Sequence, residues 1–173
     1  LTDEERNEYG EIVRFNTEQL MFLVNSVLDL SRLEAGMTKW QLSSCDLLQV
    51  LHQAIDEVQL HHPEMQINYS SRVEQWPAHT DPKRLMQLFS SCLYQPYAAS
   101  HPVPSVEVTP CSEGIRIRIT PSSLADTANS CEESTIRHDI NHRTLTYFGG
   151  TYCISPDGVP TPWIEITYPK KRG

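Results

Sequence analysis

Basic clusters, long apolar runs and paired cysteines are all missing from this chain. Lys and Arg number 14 against 22 Asp and Glu, a net charge of −8. The one basic run, Lys170, Lys171 and Arg172, reads as a tail, so binding of nucleic acid through a basic face is excluded. No apolar run approaches the roughly 20 residues that span a bilayer, and no signal peptide opens the chain, so no membrane contact is expected of these residues. The cysteines (Cys45, Cys92, Cys111, Cys131 and Cys153) are odd in number, scattered and without a CxxC pair. They fit reduced thiols in a cytoplasmic protein and not a disulfide framework. The chain also starts without Met, inside a helical pattern, which predicts a piece of a longer protein whose membrane anchor, if it has one, lies elsewhere.

What is present is a globular composition. Hydrophobic residues make up 39% and charged residues 21%, which a disordered chain would not show. A length of 173 residues suits one moderate domain plus an additional element. That element is at the front. Thr2 and Glu5 make a capping box, and Gly36 stands where a helix from Thr2 to about Ala35 would stop. Apolar residues repeat by sevens, with Val13, Leu20 and Val27 in one row and Tyr9, Asn16, Leu23 and Leu30 in the other. This is an a/d seam, widened by Met21, Val24 and Leu28. Such a helix, roughly 50 Å long, is not stable alone with that face wet. The spacing predicts a bundle, built with a neighbouring helix, a second copy, or both.

Further on, Asp46 caps a predicted second helix to about Gln59, facing Leu47, Leu48, Val50, Leu51, Ala54, Ile55 and Val58 inward. Met65–Ser70 and Glu74–Thr80 read as strands. Asp81 and Pro82 open a third helix with Leu85, Leu88, Phe89, Cys92 and Leu93 inward. Val103–Thr109 and Gly114–Thr120 form a strand pair, Ser134–Phe148 a fourth helix closed by Gly149 and Gly150, and Thr151–Ser155 with Trp163–Tyr168 a final hairpin. The order predicts an α+β fold, with helices on one side of a mostly antiparallel sheet.

These segments carry a resemblance. Asn25–Gly36, NSVLDLSRLEAG, is similar to the end of the second dimerisation helix of sensor histidine kinases. Gln41–Val58 resembles the first helix of their ATPase domain, and DPKRLMQLF at Asp81–Phe89 the start of the helix that carries the asparagine box. GIRIRIT resembles the strand before the first glycine box, and YFGGTYCIS with WIEITYP the closing segment. The resemblance implies a bundle helix over residues 1–37. Residues 38–173 would then be a two-layer α/β sandwich of the histidine-kinase (GHKL) ATPase type.

It also implies ATP and Mg²⁺ as ligands, and here the chain departs from the family. The family places two asparagines four apart, then an alanine and a lysine. Those positions fall on Ser91, Gln95, Pro96 and Ala98. Gln95 displaces the amide oxygen by a bond where Mg²⁺ demands strict octahedral geometry, Pro96 breaks the helix, and Ala98 offers phosphate no charge. The first glycine box reads Pro121-Ser122-Ser123-Leu124, without acid or glycine, and Asp126 comes too late. The second, expected at the bare amides of the last helix, reads Thr135-Ile136-Arg137-His138. Ala125–Ser134 is too short for the usual ATP lid.

The reading is therefore a two-component signalling module, a pseudokinase with no cofactor and no catalytic residue. Ser91, Gln95 and Ala98 are its nucleotide-site remnant, and Val13, Leu20, Leu23, Val27 and Leu30 the seam of a homodimer. Glu11, Arg14, Phe15 and Glu18 are candidate docking residues for a response-regulator receiver domain or another kinase. The alternative is an active histidine kinase or receiver phosphatase with an atypical site and its acceptor histidine upstream of Leu1. His52 lacks the acceptor's context. His138 and His142 share a helix face four apart, but Asp139 stands where a zinc protease needs Glu, so that face reads as solvated and no metal is assigned.

Overall fold

The long helix forms as its caps predict. The computed structural model describes residues 2–61, 63, 65–93, 104–120, 131–156 and 163–170, without the side chains of residues 11, 15, 16, 18, 19, 22, 23 and 131–134. Helix α1 spans Asp3–Glu34. The Thr2 hydroxyl accepts from the Glu5 amide and the Glu5 carboxylate from the Thr2 amide, the reciprocal capping box. At the other end Gly36 adopts φ +66°, a left-handed conformation that a side chain would resist. The Met37 amide then reaches the Arg32 carbonyl at 2.9 Å and the Gly36 amide that of Leu33 at 3.2 Å, a Schellman stop.

Two aspartates seat the next helices. Strand β1 (Ser43–Asp46) runs into α2 (Leu47–His61). Asp46 Oδ1 accepts from the Leu48 amide at 3.0 Å and from the Trp76 amide at 2.8 Å. It caps the helix and pins the distant chain with one atom. After β2 (Asn68–Ser71) and β3 (Pro77–Thr80) comes α3 (Pro82–Leu93). Asp81, itself buried, caps α3 through Arg84 N at 3.1 Å and holds the Gln41 amide at 2.9 Å. Every residue expected to face inward on α2 and α3 is buried.

Strands β4 (Ser105–Pro110) and β5 (Gly114–Thr120), helix α4 (Cys131–Tyr147), and strands β6 (Thr151–Ile154) and β7 (Ile164–Pro169) complete the order. Gly149 at φ +77° ends α4 as Gly36 ends α1. Five strands form a sheet in the order β2-β4-β5-β7-β6, antiparallel except for the parallel β2–β4 pair, while β1 and β3 make a separate antiparallel ribbon. GIRIRIT alternates as a half-buried strand should. Ile115, Ile117 and Ile119 are fully buried, and Arg116 and Arg118 point outward to Glu165 at 3.3 and 2.7 Å. Val106, Val108, Ile164, Ile166 and Phe89 are buried in the same core. The result is a two-layer α+β sandwich with α1 running out of it.

Several local elements differ from expectation. β1 was not foreseen, because SSCD is polar, short and without alternation. The strand expected over Met65–Ser70 occupies Asn68–Ser71, and that over Glu74–Thr80 only Pro77–Thr80. α4 begins at Cys131, ahead of the expected Ser134.

Candidate functional site

The site to be tested lies where α3 meets α4. Ser91, at the position of the family's first asparagine, sits on the last turn of α3. Its hydroxyl donates to the Leu88 carbonyl at 2.8 Å and accepts from Asn141 Nδ2, on α4, at 3.0 Å. Asn141 is 3% exposed, and its amide also approaches Cys92 Sγ at 3.7 Å. Beside it, His138 Nδ1 and the Tyr152 hydroxyl of β6 share a short hydrogen bond. Three elements are thus stapled through polar side chains within an apolar layer. Such a network stabilises only because its members satisfy one another.

The electrostatics follow from burial. Cys92, fully buried, has its thiol pushed up to about 12 by desolvation, which outweighs the hydrogen bonds that favour a thiolate. Desolvation, then the neighbouring Cys92, raise the Tyr152 phenol well above its usual range. Burial, then the charge of Arg137, lower the His138 imidazole below 6.5. At neutral pH the cluster holds a thiol, a phenol and a neutral imidazole. It offers no activated nucleophile, since a nucleophile needs a depressed pKa or a base aimed at it.

His138 also gives the cluster a pH signature. Its folded pKa lies below the unfolded value of 6.5, so the unfolded chain binds more protons between the two. The stability this provides is complete above about pH 6.5 and falls as pH drops through the folded pKa. Urea melts of wild type and His138→Gln should converge as pH falls from about 7.5 to 5. Curves that stay parallel would show that His138 carries none of the pH dependence.

The other sequence-predicted residues fall as follows. Gln95 and Ala98, with Pro96, Pro121–Leu124 and Asp126, lie outside the described residues. Thr135–His138 do not stand at the bare N-terminus of α4, because the helix starts at Cys131. Their amides lie in its second turn and beyond, where a helix satisfies its own donors. The expected register of the second glycine box is corrected accordingly. The HDINH face is not simply solvated: His138 turns inward to Tyr152, while His142 lines a cleft between α1 and α4. His52 is an exposed residue whose Nδ1 meets the Leu48 carbonyl at 2.7 Å. The cysteines described at side-chain level, Cys45, Cys92, Cys111 and Cys153, are all unpaired. Among the seam residues, Val13 is 63%, Leu20 61% and Val27 51% exposed, while Leu30 is half-buried. The side chains of Leu23, Glu11, Phe15 and Glu18 lie outside the description, and Arg14 makes an interaction of its own.

Sequence reasoning missed Asn141. It pairs with a residue 50 positions away on another helix, and an asparagine in a polar helix gives no signal of that.

No protein-family model matches the chain. Drug sensory protein A of Synechocystis sp. is 39% identical over 67 residues, which is 39% of this chain and 10% of that protein. The chain therefore matches about a tenth of the length of this curated relative. The Acinetobacter baumannii histidine kinase AdeS superposes with a TM-score of 0.67 at 13% identity, over 94% of this chain and 84% of that one. Full-length ShkA, solved with AMPPNP, gives 0.69 at 17% over 100% and 41%. The ATP-binding domain of PrrB from Mycobacterium tuberculosis gives 0.59 at 10% over 76% and 99%. The chain has the fold of histidine-kinase ATPase domains of the GHKL type, with a long helix ahead of it. The resemblance read from its motifs is borne out.

Proposed function

We propose that this chain is a non-catalytic module of two-component signalling. Residues 1–37 are the second helix of a dimerisation bundle, and residues 38–173 an ATPase-like domain that has given up nucleotide. The observation that carries the reading is the Ser91–Asn141 staple. At the position of the family's first asparagine, Ser91 presents a hydroxyl already engaged by α4. The family's Mg²⁺-holding asparagine falls on Gln95, whose amide oxygen is displaced by a bond where Mg²⁺ demands strict octahedral geometry. Residues 121–134, which run up to and open α4, contain no glycine to let a backbone approach phosphate. These departures support a site that no longer takes Mg²⁺–ATP.

The module acts through its surfaces. The apolar seam of α1 forms the homodimer, and the N-terminal half of α1 near Glu11, Arg14, Phe15 and Glu18 docks a response-regulator receiver domain or a second kinase. Incubating the full-length protein with γ-labelled ATP and a receiver domain should leave both unlabelled. It should also leave a pre-phosphorylated receiver at its spontaneous rate of hydrolysis. Label on either protein, or accelerated loss, would favour an active kinase or a receiver phosphatase instead.

A further inference from the structure

The face of α4 turned away from the Ser91–Asn141 cluster borders a second feature. Asp139, His142 and Arg143 lie on that side at helical spacing, while Asn141, Thr144 and Leu145 are buried on the other. Two ion pairs stand at this junction between α1 and the sandwich, Asp29 with Arg84 at 3.0 Å and Glu34 with Arg143 at 3.0 Å. Between α1, α4 and the segment that leads to β1, an open cleft of about 560 Å³ remains. That is the size of an ordinary small-molecule site and far larger than one water needs. One wall is aromatic. Trp40 stacks on Tyr147 with ring centroids 4.1 Å apart and planes 13° from parallel. Phe148 stands edge-on to both rings, at 5.2 and 5.3 Å, so the wall is braced before anything binds. Leu33 adds apolar surface from the α1 side.

The polar groups of the lining are largely unengaged. The Asp139 carboxylate has no ion-pair or hydrogen-bond partner among the described residues, since Arg143, one turn on, is turned to Glu34. The Thr38 hydroxyl, in the wall, is buried and also lacks a partner among the described residues. Native folds leave few such atoms unpaired. An aromatic wall beside one uncompensated negative charge is the chemistry that selects a cation carried on a ring. We propose that the cleft binds a small aromatic cation, an amine or a protonated N-heterocycle. Its ring lies against the Trp40–Tyr147 wall, and its charged N–H donates to Asp139. His142, beside Asp139, adds a hydrogen-bonding ring nitrogen. An aromatic anion would meet the same wall but face Asp139 with like charge, and Arg143 is already held by Glu34. The cleft is separate from the α3–α4 cluster, so it keeps its ligand whatever the nucleotide site does.

The test uses the intact chain and two probes that share a ring, naphthylmethylamine as the cation and naphthylacetate as the anion. Heteronuclear NMR follows the backbone amides and the indole N–H groups. With the amine, the signals of Thr38, Trp40, Asp139 and His142 should move and saturate, while the indoles of Trp76 and Trp163, outside the cleft, stay in place. Naphthylacetate should bind roughly tenfold more weakly. Asp139 is exposed, so its variants should melt with wild type. Asp139→Asn should weaken the amine roughly tenfold and leave the acetate unchanged. Asp139→Lys should reverse the preference between the two probes. Shifts that never saturate, equal binding of amine and acetate, or a preference that Asp139→Lys leaves unmoved would each overturn the site.

Discussion

Leu20→Glu or Val27→Glu should convert a self-associating chain into a monomer in sedimentation. Both residues lie on one row of the heptad pattern, and both are more than half exposed. Tyr9, Ile12, Val13, Met21, Val24 and Leu28 extend the exposed apolar face along the same helix. A face of this length exceeds what a soluble monomer normally leaves wet. Burying one leucine or valine is worth about 1.5–3 kcal/mol. In a symmetric dimer each substitution acts twice, so the loss is about 3–6 kcal/mol, before counting the charge driven into the seam. That corresponds to a more than hundredfold weaker dissociation constant. The sandwich should be untouched, since the described seam residues Val13, Leu20 and Val27 are exposed away from it. Sedimentation velocity with a thermal melt as control separates the two effects. A wild-type chain that stays monomeric at high concentration would contradict the seam as a homodimer interface.

Gly114→Ala should be the most destabilising single methyl in the sandwich. Gly114 opens β5 opposite Pro169 of β7, and its amide and carbonyl close the hairpin turn on Cys111. A Cβ there would lie 2.0 Å from the Tyr168 carbonyl oxygen and 2.9 Å from the Pro169 backbone. Both obstacles are main chain in a central ladder, so relief requires β5 and β7 to separate. Overpacking of this kind costs about 1–3 kcal/mol, and the rigidity of the obstacle puts this site at the upper end. A fall in melting temperature of about 6–12 °C is expected for a chain of this size. Gly10, exposed on α1 with nothing within 4 Å of such a Cβ, is the control, and Gly10→Ala should be neutral or mildly stabilising. A Gly114→Ala variant that melts with wild type would mean that the β5–β7 ladder is looser than its geometry.

The contrast between these two predictions reflects what was legible in the sequence. The inner faces of α2 and α3 were readable because their cores are apolar at helical spacing, and Asp46 and Asp81 stand where N-caps belong. α4 was readable only as a helix. Its inner face includes Asn141, Thr144 and Leu145, so hydrophobic periodicity does not announce which side is in. Its start lies three residues ahead of Ser134, and the glycine-box register shifts with it. The absence of family residues at Ser91 was legible; the bond that occupies Ser91 was not, because it joins residues 50 apart. The ion pairs of the junction were hidden for the same reason, since Asp29–Arg84 spans 55 positions and Glu34–Arg143 spans 109.

The central claim is that the fold is kept and the nucleotide is lost. Titration calorimetry of the intact chain with ATP and ADP in the presence of Mg²⁺ addresses it without any partner. No saturable heat is expected up to about 1 mM nucleotide, a level at which binding is worth less than about 4 kcal/mol. A dissociation constant in the micromolar range for either nucleotide would contradict the account.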